Sequence, residues 1–345
     1  MLKPSRILLA LAMLVLASCE KSTSNSASSG GGAKPTDAKS VKMVYIAKNT
    51  GNPYFDPLIE GFKEAAKDAG CEAEDIAPAD ATASSQLPLI KAQIQRGVNV
   101  IAISPNSPDA LNQVFKEAMG KGIAVICVDS DLTGNEQFRT AGVLPTDPEG
   151  VGRAQVQLLG ELMGHKGKWA ILSATTDAPN QNEWIKWMKE EAKDPKYKDM
   201  TLVDVVYGDD QPEKSTTEAQ ALLTKYPDLA GIISPTTVGV AACAQVVESA
   251  GKASQVNVTG LGTPNQMRRF VQNGTVKKFQ LWSPKDEGYV AGCLGVAIAT
   301  GKVKPERGSI FTAGKMGDRS FADKNVVITG PPVTFSKENI DQFHF

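Results

Sequence analysis

Amides and carboxylates recur in this chain where apolar runs give way to loops. They are Lys48, Asn49 and Asn52, then Ser104 and Asn106, then Asp129 and Asp131. Further along stand Asn180, Gln181 and Asn182, Asp209 and Asp210, Pro235 with Thr236 and Thr237, and Trp282 with Ser283. An ionised carboxylate accepts at both oxygens, and an amide both donates and accepts, so this set suits a ligand rich in hydroxyl groups. Lys48 can donate to ligand oxygens and bridge to Asp129. Phe55, Trp184 and Trp282 offer flat apolar faces for the C–H side of a sugar ring. The equipment of catalysis is missing. His165 and His344 lie away from these run ends, and there is neither a Gly-x-Ser-x-Gly elbow nor a Gly-x-x-x-x-Gly-Lys-[Ser/Thr] phosphate loop. No catalytic residue and no cofactor are therefore expected. No metal is expected either: Asp129 and Asp131 lack the closing Gly and Glu of a calcium loop, and Cys71, Cys127, Cys243 and Cys293 are scattered without zinc spacing.

Each of these residues also has a structural reading. Asp129 and Asp131 can cap the following turn, Lys48 can be a surface lysine, and Asn180 or Asn182 can cap a helix that opens with Asn-Glu-Trp. Asp209 and Asp210 read better as loop residues than as ligands, and Trp187 reads as core.

The elements that must position these side chains repeat. The strand candidate KMVYIAKN (42–49) is followed by a helix over 56–69 with Leu58, Ile59, Phe62, Ala65 and Ala66 on one face and Gly70 as its stop. Next come a strand after Cys71, a helix over 83–96, the strand VNVIAISP (98–105), a helix over 108–119 and the strand IAVICVDSD (123–131). The same order returns with KWAILSATT (168–176), a helix over 182–193, TLVDVVYG (201–208), a helix over 213–225, AGIISP (230–235), a helix over 237–250 and VNVTGLGTP (256–264). Both third strands end in Ile-Ser-Pro, at 103–105 and 233–235. Strands alternating with helices imply parallel sheets covered on both faces. The expected fold class is α/β, with two similar Rossmann-like lobes whose sheets are flanked by helices. In such sheets ligands bind beyond the carboxyl ends of the strands, so two facing lobes line one cleft. After 264 the order breaks into a helix, the strand TVKKFQLWSP, an apolar helix over 286–300 and the short strands NVVIT and PVTF. The expected division gives 40–146 plus about 263–284 to the first lobe and 147–262 plus about 285–345 to the second.

The start of the chain is of another kind. Lys3 and Arg6 precede the apolar run 7–17, which is shorter than the ~20 residues of a membrane span. Leu16-Ala17-Ser18-Cys19 resembles the lipobox of bacterial lipoproteins, which implies a signal peptide over 1–18 and lipidation of Cys19. Residues 19–39, rich in Ser and Gly, read as a lipid-anchored tether of roughly 25 Å end to end. With 37 Lys and Arg against 38 Asp and Glu, the chain carries no basic excess, so nucleic-acid binding by a basic patch is not expected.

Seven stretches carry a family resemblance: YIAKNTGNPYF (45–55), CVDSD (127–131), APNQNEW (178–184), VYGDDQPEKS (206–215), ISPTTVGVAA (233–242), TGLGTPNQMR (259–268) and FQLWSPKDEGY (279–289). Over about 42–330 the chain resembles the type I periplasmic solute-binding proteins of ABC sugar importers, nearest the rhamnose- and autoinducer-2-binding groups. The resemblance implies a three-strand hinge between the lobes, closure on ligand and delivery to ABC permease subunits. It assigns ligand contact to Lys48, Asp129, Gln181 and Pro235. Asn180 stands where the autoinducer-2 pattern has aspartate, Thr237 where it has alanine, and Val128 where it has tryptophan. An amide donates where a carboxylate only accepts, so the hydroxyl pattern read by Asn180 must differ. The expected ligand is a monosaccharide, rhamnose or a similar deoxyhexose or pentose, with an autoinducer-2 receptor as the alternative. The ligand-binding set is then Lys48, Phe55, Asp129, Asn180, Gln181, Trp184, Pro235, Thr237 and Trp282. The expected molecule is an exported, periplasmic monomer that touches the membrane only through its lipid.

Overall fold

The computed structural model describes residues 37–345. The export signal, Cys19 and nearly all of the tether lie outside the described residues.

Runs of β-branched and apolar residues make the inner strands, which are buried on both faces as central parallel strands must be. The first lobe runs β1 (Lys42–Ile46), α1 (Phe55–Ala69), β2 (Glu72–Ile76), α2 (Ala83–Arg96), β3 (Val100–Ile103), α3 (Asn112–Gly120), β4 (Ala124–Val128) and β5 (Ala141–Leu144). The chain then crosses and builds α4 (Pro148–Met163), β6 (Lys166–Ser173), α5 (Pro179–Glu191), β7 (Asp199–Tyr207), α6 (Pro212–Lys225), β8 (Leu229–Ser234), α7 (Thr237–Ser249), β9 (Asn257–Gly260), α8 (Pro264–Gln272) and β10 (Lys278–Leu281). It ends with α9 (Pro284–Ala299), β11 (Ile310–Thr312), β12 (Asp318–Ser320), β13 (Val326–Ile328) and β14 (Val333–Ser336).

The first sheet has the order β13-β5-β4-β3-β1-β2 and is parallel throughout. The second has the order β7-β6-β8-β9, also parallel. A parallel bridge between Leu261 and Gln280 sets β10 beside β9, and β14 runs antiparallel to β10. The two sheets thus share one strand order, and the expected α/β architecture of two similar lobes stands. Three segments, 145–147, 282–283 and 329–332, carry the chain between them.

The division of the tail differs from expectation. Residues 263–284 were expected in the first lobe, but α8 packs on α7 and β10 extends the second sheet. Residues 285–345 were expected in the second, but α9 packs along α1 and β13 pairs with β5, so only β14 and the chain end return there. The reason is the length of the repeat. It continues past β9 through β10, which corresponds to β5, and through α9, which corresponds to α4. The strand β5 and the helix α4 are not anticipated from the sequence, and without them the tail has no visible counterpart.

The corresponding helix pairs make similar close approaches. A Cβ on Gly288 of α9 would lie 1.9 Å from the Leu58 carbonyl oxygen of α1, and one on Gly152 of α4 would lie 2.5 Å from the Trp184 oxygen of α5. Glycine lets each crossing helix lie backbone to backbone on its lobe. On α1 the expected face holds: Leu58, Phe62, Ala65 and Ala66 are buried, and Gly70 closes the helix in the left-handed conformation. The helix α5 opens at Pro179 rather than at 182, because proline supplies the preset φ of a first helical residue. Asn180 and Asn182 therefore fall inside the first turn and neither is its N-cap.

Candidate ligand-binding site

Six strands, β1, β4, β7, β8, β9 and β10, turn their carboxyl ends toward the same space. From the first lobe, Lys48 follows β1, Asn52 and Tyr54 lie in the loop to α1, and Phe55 starts that helix. Asp129 follows β4 directly. From the second lobe, Asn180, Gln181 and Trp184 stand on the first turns of α5, and Asp210 follows β7. Pro235, Thr236 and Thr237 join β8 to α7, Leu261 follows β9, and Leu281 and Trp282 end β10. All of these line one cavity. The nine residues expected to bind ligand are among them, so the fold brings the whole set together. Of the remaining candidates, Ser104 and Asn106 brace the site from behind. Ser104 holds the Tyr45 hydroxyl at 2.6 Å, and Asn106 donates to the Lys48 carbonyl at 2.8 Å.

A chain of hydrogen bonds spans the cleft. Lys48 Nζ donates to Asn180 Oδ1 at 2.7 Å, and Asn180 Nδ2 donates to Asp129 Oδ2 at 3.0 Å. The expected bridge from Lys48 to Asp129 thus passes through an amide of the opposite lobe. The ammonium only donates and the carboxylate only accepts, so an amide is the side chain that can sit between them. Lys48 is 4 % exposed, far too little for a surface lysine. Burial pushes its ammonium down, against the pull of Asp129 and Asp210. Burial pushes the Asp129 carboxyl up to about 6, opposed by the charge of Lys48 and by the hydrogen bond from Asn180. Asp129 also takes a left-handed backbone, φ 63°, which aspartate tolerates better than most residues.

A second clasp lies beside the first. Asn52 Nδ2 donates to Asp210 Oδ2 at 3.3 Å, while Asn52 Oδ1 accepts from the Thr237 hydroxyl at 2.6 Å. The Thr236 hydroxyl also bonds the Asp210 carboxyl. Asp210 lies in the loop between β7 and α6, as expected, but not on the surface. It is buried in the cavity wall, and burial raises its carboxyl. Its neighbour Asp209 in the same loop pairs with Lys214 at 2.5 Å. Gln181 is anchored by its carbonyl, which accepts from Ser173 Oγ at 2.6 Å and Ala174 N at 2.8 Å. That orients its NH2 end as the available donor. Asp131 is committed elsewhere, to the Arg139 guanidinium at 2.6 Å and the Leu132 amide at 2.8 Å.

Aromatic rings close the other side. Trp282 meets Trp184 edge-on at 5.9 Å and Tyr54 at 6.1 Å between ring centroids. Trp187, expected in the core, is half-buried on the other face of α5 under Arg153, 5.0 Å from its ring. Asn52, Asp210 and Thr236, strand-end candidates outside the nine, also line the cavity, and Tyr54, Leu261 and Leu281 complete it without any signal in the sequence reading. Asp210 carried a usable signal, since it follows β7 as Asp129 follows β4.

A family described as periplasmic binding protein domain matches residues 43–303. The chain belongs to this family. Its members are solute-binding components of transport systems rather than enzymes, and they act as exported, periplasmic proteins. Similar solved structures include a sugar ABC transporter protein from Actinomyces odontolyticus, 41 % identical, with 90 % of this chain and 99 % of that one covered and a TM-score of 0.71. An ABC transporter solute-binding protein from Clostridium phytofermentans, with bound L-rhamnose, is 31 % identical over 88 % of this chain and 98 % of its own, with a TM-score of 0.84. A D-ribose/D-allose-binding protein of Pseudomonas aeruginosa is 24 % identical over 68 % of this chain and 75 % of its own length. The periplasmic binding protein described here is thus a member of the sugar ABC transporter solute-binding group.

Proposed function

We propose that this binding protein captures L-rhamnose or a related deoxyhexose or pentose between its lobes and hands it to the permease of an ABC importer. The observation that carries this reading is the division of the cavity into unlike walls. Lys48 and Asp129 of the first lobe and Asn180, Gln181 and Asp210 of the second supply donors and acceptors. Leu261 and Leu281, next to Trp282, form a corner with no hydrogen-bonding group of their own. A hydroxymethyl group there would lose its partners in water and gain none, whereas a methyl group loses nothing. The L-rhamnose-bound relative supports the same choice.

A thermal-shift panel of L-rhamnose, fucose, ribose, xylose, glucose and autoinducer-2 tests it. Binding to the native state alone raises the melting midpoint. The largest rise is expected with a 6-deoxyhexose. Silence from every sugar overturns the assignment, and a response to autoinducer-2 alone replaces it with the receptor reading. The proposal includes a lipid anchor at Cys19 and a monomeric carrier. Cys19→Ser is expected to move the protein from the membrane fraction to the soluble periplasm, and unchanged fractionation removes the anchor.

A further inference from the structure

Trp282 lines the ligand cavity from a place in the chain that belongs to neither lobe. It follows β10 of the second sheet, lies in the crossing segment 282–283 and precedes α9, which packs on the first lobe. Its hydrogen bonds go to the first lobe. Trp282 Nε1 donates to Oε2 of Glu287, in the first turn of α9, at 3.0 Å and to the Tyr54 oxygen at 2.8 Å. The Tyr54 hydroxyl in turn donates to the same Glu287 oxygen at 2.6 Å. Toward the second lobe the indole makes a ring contact, edge-on to Trp184 with centroids 5.9 Å apart.

Glu287 is fully buried, and a carboxyl group there is costly. Both donors converge on Oε2, and Oε1 has no hydrogen-bond partner among the described residues. An apolar side chain of similar size would fill the space without that cost. It would not supply an acceptor. A buried indole N–H and a buried phenol each need one, and both of these rings are cavity walls. The helix start sets the geometry. Ser283 Oγ accepts from the Asp286 amide at 3.2 Å, and the Ser283 carbonyl accepts from the Glu287 amide at 3.2 Å. This tight turn brings the carboxyl back to the indole, five residues earlier in the chain.

We propose that Glu287 is a positioning residue for the ligand site: it fixes the Trp282 indole to the first lobe and so makes this ring part of the first lobe's ligand wall. The consequence for affinity rests on the sugar-binding reading, while the fixing of the indole does not. A Trp282 ring already held against Tyr54 is in place before a sugar arrives, so binding does not have to order it. When the lobes part, the ring contact with Trp184 gives and the hydrogen bonds to Glu287 and Tyr54 remain.

The Trp282 indole N–H, assigned by NMR in isotope-labelled protein with Trp282→Phe, reports the bond through its exchange with solvent. In the ligand-free protein this exchange is expected to be slow. Glu287→Leu takes the acceptor from Trp282 and from Tyr54 together. It is expected to speed the exchange about tenfold or more and to weaken L-rhamnose binding about tenfold by calorimetry. Glu287→Gln, whose carbonyl accepts both protons, should restore both to within about threefold of wild type. Fast exchange in the unaltered protein, no change in Glu287→Leu, or a Gln variant that behaves as the Leu variant does would each overturn the proposal. In a Trp282→Phe background, which lacks the N–H, Glu287→Leu should weaken binding by no more than about twofold further. A full additional loss there would mean that Glu287 acts through another group. Tyr54→Phe decides the matter if Glu287→Leu does not fold. It removes the other acceptor and keeps Glu287, so the N–H is expected to stay protected, and lost protection would give the fixing role to Tyr54 instead. If the unaltered protein gives no heat with L-rhamnose, the sugar reading fails, while the exchange of the Trp282 N–H still decides the role of Glu287.

Discussion

Asn180 shows how one atom type changes a site. Its amide lies within hydrogen-bond reach of both an ammonium and a carboxylate and serves both. An aspartate there would still pair with Lys48 but would set a second negative charge against Asp129. Asp129 also gives the site a dependence on pH. Its carboxyl titrates near 6 in the fold against an ordinary value of 3.8. Between those values the folded protein holds this proton more tightly than the unfolded chain does. The group's contribution to stability is therefore greatest below the ordinary value and falls as pH rises through the folded one. In the ligand-free protein, wild type is expected to lose melting temperature relative to Asp129→Asn as pH rises from about 4 to about 6. Parallel melting curves for the two proteins across that range would show that Asp129 is not perturbed. A ligand whose hydroxyls donate to the ionised carboxylate should bind more tightly above that window than below it.

Among the elements, α9 carries both structure and site. Its first turn holds Glu287, and its next residue, Gly288, touches the backbone of α1. Because α1 also begins with the cavity residue Phe55, the α1–α9 contact sets where the wall of the first lobe stands. Gly288→Val is expected to force these helices apart and to cost about 1–3 kcal/mol, the usual range for overpacking. Urea unfolding measures this, and a midpoint within error of wild type would mean that the helices slide without penalty. All of the helices except α4 were legible in the sequence, from apolar periodicity and closing glycines. Their partners were not, because α9 is apolar on nearly all faces and its periodicity names no neighbour.

At the scale of the whole molecule, three crossing segments join the lobes while two interlobe clasps hold them together. Lys48–Asn180–Asp129 and Asn52–Asp210 with Thr237 are contacts between lobes, so the arrangement is a closed one. Opening must break them. Ligand-free protein in solution is therefore expected to have a larger radius of gyration by small-angle scattering than protein with saturating sugar. Equal radii would describe a rigid site rather than a closing one.

Local chemistry written into the sequence was enough to determine the duplication and most of the alternation of strands and helices, and strand ends read together with the family resemblance named nine residues that line the cavity, because parallel sheets gather their strand ends on one side. Tertiary structure alone decided three further matters. It placed α8 and β10 with the second lobe and α9 with the first, since strand neighbours depend on where the chain crosses rather than on any single segment. It buried the loop residue Asp210 in the cavity wall, since burial depends on what faces a residue from the other lobe. It also set Glu287 behind Tyr54 and Trp282, a contact across 233 residues of chain that no spacing rule reaches.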